Sequence, residues 1–138
     1  MDASAGRRSL ILVLLLAVVY LVIGLAFPVF ASSAPSSVIL WRRLAWLVSG
    51  VAFAAHICYE HFRLGSSTRT TATRASMAAA AGACGLAVVA NVHGWVVGSS
   101  HKGALAIALV GWPLLTAVPA FLVAIVAAAV LNRWFRRS

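Results

Sequence analysis

Charge is the scarcest thing in this sequence. Only 9% of its 138 residues are charged, and only two of them, Asp2 and Glu60, are acidic. A water-soluble domain usually carries about 25% charged residues, because its surface must be solvated. A chain this poor in charge cannot cover a water-facing surface. Cysteine is rare as well, with two residues. Cys58 and Cys84 lie inside apolar runs and form no CxxC pair, which excludes a dithiol redox site and leaves two small hydrophobes. No carboxylate or cysteine completes a ligand set around any of the four histidines, and no nucleophile stands beside a base. No metal, no cofactor and no enzymatic activity are expected on those grounds.

What remains is apolar and continuous. Hydrophobic residues make up 63% of the chain, and the mean hydropathy is +1.01. About 20 apolar residues suffice to cross roughly 30 Å of hydrocarbon as a helix. Four segments meet that length, at approximately 10–30, 38–62, 75–97 and 104–131. The connections ASSAPSS (31–37) and GSSHKG (98–103) are short turns, and RLGSSTRTTATR (63–74) reads as a polar, basic loop. Short connections make consecutive helices antiparallel neighbours. The expected fold is therefore all-α: one integral membrane antiparallel four-helix bundle occupying residues 1–138. Arg7 and Arg8 before an apolar run resemble the start of a signal peptide. The run is about 21 residues long, beyond the usual 7–15 of a signal core, so the first helix is expected to be retained.

The basic residues set the orientation. With the amino terminus inside, the cytoplasmic side holds Arg7, Arg8, Arg63, Arg69, Arg74, Arg133, Arg136 and Arg137, and the other side holds Arg42, Arg43 and Lys102. The excess favours both termini in the cytoplasm, and the expected location is a bacterial cytoplasmic (inner) membrane. The net charge of +9 does not point to nucleic acid, since the arginines cap apolar segments where anionic headgroups would meet them. Membrane lipids are the expected partners, with a homo-oligomer or a larger membrane complex beside them.

The polar residues inside the spans are the candidates for function. On the second span Arg42, Ser49, His56 and Arg63 recur every seven residues, with Glu60 four after His56. That spacing makes one stripe, which lipid would penalise, so it should face the bundle interior, a wet cavity or a partner. Ser49, His56, Glu60 and Arg63 are the candidates for handling protons or a small solute. The competing expectation is that Glu60 pairs with Arg63 or Arg74 and fastens the cytoplasmic rim. A bis-histidine haem fails on depth. His56 and His93 lie about 15 Å apart along the bilayer normal at 1.5 Å per residue, whereas two axial ligands need similar levels. His61 at one rim and His101 in the outer turn do not repair this.

The third span is rich in small residues. Gly82, Gly85, Gly94 and Gly98 would let a neighbouring backbone approach, and Asn91 must hydrogen-bond across helices or to a ligand. His93 and Trp95 read as aromatic-belt positions, and Trp134 with Arg133, Arg136 and Arg137 as an interfacial anchor. On the fourth span Gly111, Pro113, Thr116 and Pro119 should disturb helix regularity. These features point first to a non-enzymatic accessory or interaction protein, packing with itself or with a larger complex. The alternative is a small transporter or channel subunit built on Ser49, His56 and Glu60.

Overall fold

The computed structural model describes residues 3–33, 37–98, 100 and 102–135, apart from the side chains of 3–5, 33 and 102. Asp2, His101, Arg136 and Arg137, and parts of the two short turns, lie outside the described residues.

Four helices follow one another: α1 (Ala3–Ser33), α2 (Val38–Phe62), α3 (Thr68–Val96) and α4 (Lys102–Phe135). Each is long and apolar enough to cross a bilayer. α2 coincides with its apolar segment, α1 and α4 run beyond theirs at both ends, and the largest correction concerns 63–74, which was expected to be loop. Only its first part is a turn, because Ser67 caps α3 by accepting a hydrogen bond from the backbone N–H of Thr70 at 3.2 Å. Ser is a favoured residue at that position, where it satisfies an amide that the helix cannot. Hydropathy marks where hydrocarbon begins, whereas the cap marks where the helix begins. α4 is one continuous helix that contains both Pro113 and Pro119.

The helices are not equivalent. α3 is the central one, packed along both α1 and α4, while α2 lies mainly against α1 and meets α3 and α4 only sparsely. The buried residues of α2 are His56, Ile57 and Glu60, all near its C-terminal end. There Ile57 joins Ala72 and Ala75 of α3 and Ala124 and Ala128 of α4 in a small core, flanked by Phe53 and Phe121. Alanines at these positions keep the backbones close, and close approach multiplies weak dispersion contacts.

The α1–α3 seam depends on glycine. A Cβ at Gly82 would lie 2.7 Å from Tyr20 Cβ and 3.2 Å from the carbonyl oxygen of Ala17, and one at Gly85 would lie 3.2 Å from Leu21 Cδ1. The large hydrophobics point outward instead. Trp46, Leu47 and Val51 of α2, Val96 of α3, and Ile107 and Leu115 of α4 are all exposed.

Candidate functional site

At one end of the molecule the beginnings of α1 and α3 meet the ends of α2 and α4. Asn132 of α4 donates its amide to Thr68 Oγ1 of α3 at 2.7 Å, and Phe62 of α2 packs edge-on against Phe135 of α4 with ring centroids 4.9 Å apart. Inside this junction sits Glu60, with no exposed surface.

The turn after α2 builds the site. The N–H of Arg63 still donates to the carbonyl of Tyr59, and Gly65 then adopts a positive φ of 57°. That left-handed conformation suits glycine, which lacks the Cβ that would clash, and it folds the chain back on itself. The N–H of Ser66 donates to the carbonyl of Glu60 at 3.1 Å, and the Ser66 hydroxyl donates to Glu60 Oε2 at 2.7 Å. Arg74, two turns into α3, donates from one guanidinium nitrogen to the same Oε2 at 2.9 Å and to Ser66 Oγ at 3.1 Å. Ser9 of α1 donates its hydroxyl to Oε1 at 2.9 Å. One carboxylate thus binds α1, the α2–α3 turn and α3 into a single network, and both of its oxygens are engaged. A buried carboxylate is tolerable only when its charge and lone pairs are met in this way.

His56 lies on the same face, with Nε2 3.9 Å from Glu60 Oε1. That separation is too long for a direct hydrogen bond. Both ring nitrogens of His56, and the hydroxyl of the fully buried Thr71, have no hydrogen-bond partner. Of the expected stripe, only His56 and Glu60 come together. Ser49 is half-buried and outside the network, and Arg63 is exposed at the helix end, so the ion pair falls to Arg74 alone. The stripe dissolves because α2 is covered only near its C-terminal end. Ser9, Ser66 and Thr71 were not singled out by the sequence. Ser9 lies 51 residues from Glu60 and reads locally as the flank of an apolar run.

The small-residue candidates separate in the same manner. Gly82 and Gly85 sit against α1, as described. Gly94 is buried on α3. Asn91 donates its amide to the carbonyls of Ala87 at 2.9 Å and of Leu105 on α4 at 2.6 Å. Gly98 meets no neighbouring element of the chain: it is exposed, open space surrounds its Cβ direction, and it adopts a positive φ of 69° in the turn after α3. His93 is exposed near the C-terminal end of α3, away from His56. Cys58 and Cys84 are free thiols. Among the described residues no three His, Cys, Asp or Glu side chains converge. Protein-family models, curated proteins and solved structures offer no match to this chain.

Proposed function

We propose that this chain is a multi-pass protein of a bacterial cytoplasmic membrane, an antiparallel four-helix bundle with both termini in the cytoplasm. In this reading it serves as a non-enzymatic accessory or interaction subunit, packing with itself or within a larger membrane complex. The outward-facing Trp, Leu, Ile and Val side chains along the helices suit a surround of lipid or of other apolar helices. The exposed Arg7, Arg8, Arg63, Arg69 and Arg133 cluster at the Glu60 end, where the positive-inside rule wants a cytoplasmic rim. The observation that carries the reading is the saturation of Glu60. The sole carboxylate within the helices is spent on Ser9, Ser66 and Arg74, as a fastening rather than as an open relay. Gentle extraction from native membrane followed by cross-linking mass spectrometry tests this. A stoichiometric partner or a defined homo-oligomer is expected; a solitary monomer across extraction conditions would count against it.

A second reading, a small proton-linked transporter or channel subunit, draws on one observation: His56 is buried beside Glu60 with both ring nitrogens unpartnered. It requires a pH-dependent flux in proteoliposomes that His56→Ala abolishes. A flux unchanged by that substitution sinks it.

A further inference from the structure

At the end of α2 opposite Glu60, a groove of about 400 Å³ runs between α1 and α2. Ile23, Phe27 and Pro28 of α1 face Val38 and Ala45 of α2 across it, and Arg42 lines it as its only charged residue. Beside the groove Trp41 joins the two helices, edge-on to Phe27 at 6.0 Å and stacked on Phe30 at 5.2 Å. Ser32, the other polar residue of the lining, donates its hydroxyl to the carbonyl of Val29 at 2.7 Å, within α1.

Charge at this end is not balanced from within. Arg42 and Arg43 are both exposed, and the first turn of α2 contains no acidic residue. The helix N-terminus adds its own partial positive charge. Among the described residues the one carboxylate is Glu60, 18 residues further along α2, or about 27 Å at 1.5 Å per residue. Arg74 already occupies it. No carboxylate of the described residues reaches Arg42, which leaves its guanidinium open to an anion from outside the chain. Arg42 lies four residues into α2, about 6 Å along its axis, so an anion reaching it has its remainder alongside apolar walls. A guanidinium offers paired N–H donors that match a phosphate, and the walls match a hydrocarbon chain.

We propose that this groove is a binding site for one anionic phospholipid, with its phosphate on Arg42 and an acyl chain between α1 and α2. The site rests on the bilayer reading given above and goes beyond it by naming a specific lipid position.

The test uses full-length protein with a single tryptophan, the other four changed to Phe, in phosphatidylcholine vesicles carrying brominated phosphatidylglycerol or brominated phosphatidylcholine. Around Trp41 the anionic lipid should quench with about fivefold higher relative affinity, equivalent to about 1 kcal/mol. Arg42→Gln should reduce that ratio to about one, and Arg43→Gln should leave it in place. Ala45→Phe, which fills the groove without altering charge, should also abolish the preference and serves if Arg42→Gln does not fold. Equal quenching by the two lipids at Trp41 overturns the site. So does a preference that survives Arg42→Gln, or one lost equally with Arg43→Gln, which would indicate general surface attraction. Trp112 of α4, 55% exposed and on a helix that does not line the groove, is the reference and should be quenched by both lipids alike. No quenching of Trp112 by either lipid would overturn the bilayer reading, and the site with it.

Discussion

The two ends of α2 handle the same residue type in opposite ways. At the C-terminal end, Arg74 reaches a buried carboxylate and shares it with Ser9 and Ser66, so charge is cancelled inside the protein. At the N-terminal end, Arg42 lines an apolar groove with no carboxylate of the described residues within reach. One end is fastened through a buried carboxylate; at the other, Trp41 packs against Phe27 and Phe30 and no ion pair joins the helices among the described residues. In a chain with so few acids, the position of a single glutamate decides which arginine is structural and which is left for an outside anion.

Substitutions along the bundle should cost unequal amounts if the ends differ in this way. The largest loss is expected for Glu60→Ala. It leaves Arg74 without its partner and strands the Ser9 and Ser66 donors. Removing one member of a buried pair typically costs 3–5 kcal/mol, and the 24% exposure of the Arg74 side chain argues for the lower value, about 3 kcal/mol. Thermal or denaturant unfolding in micelles would measure it. The double variant Glu60→Ala/Arg74→Ala should recover part of the loss, since the stranded charge is gone. Full additivity would mean that the two residues do not act as a pair.

Gly82→Leu should have an intermediate effect, about 2 kcal/mol, because the side chain must displace Tyr20 and the α1 backbone. A stability equal to that of the parent would show that α1 is free to move away from α3. The smallest effect is expected for Asn91→Ala, which removes the bond to the Leu105 carbonyl toward the other end. Hydrogen bonds between membrane helices average about 0.6 kcal/mol. A loss larger than that of Glu60→Ala would invert the contrast between the ends.

The four helices were legible in the sequence because a long apolar run leaves few other options. Their ends were less so. Hydropathy starts the third span at 75, yet Ser67 caps a helix at Thr68, and Arg69 and Arg74 ride on that helix rather than in a loop. Of the two rim arginines that the sequence offered as partners for Glu60, it is Arg74, fourteen residues on, that reaches it, and not Arg63. The seven-residue stripe was a real periodicity with little structural consequence beyond His56 and Glu60, since a repeat shows which residues share a face and not how much of that face is covered. Ser9 was hidden by distance along the chain: nothing local in GRRSLIL marks a hydroxyl destined for a carboxylate 51 positions away.

That separation bears on how the chain assembles as it is made. Two of the three donors to Glu60 follow it closely, Ser66 after six residues and Arg74 after fourteen, whereas Ser9 is synthesised long before. The α2–α3 hairpin can neutralise its own carboxylate as soon as Arg74 emerges, without waiting for α1. Closing a short loop also costs less entropy than closing a long one. The first helix then joins a unit whose charge is already settled and adds a single hydroxyl. On that order Glu60 would meet α1 with its counter-charge already attached.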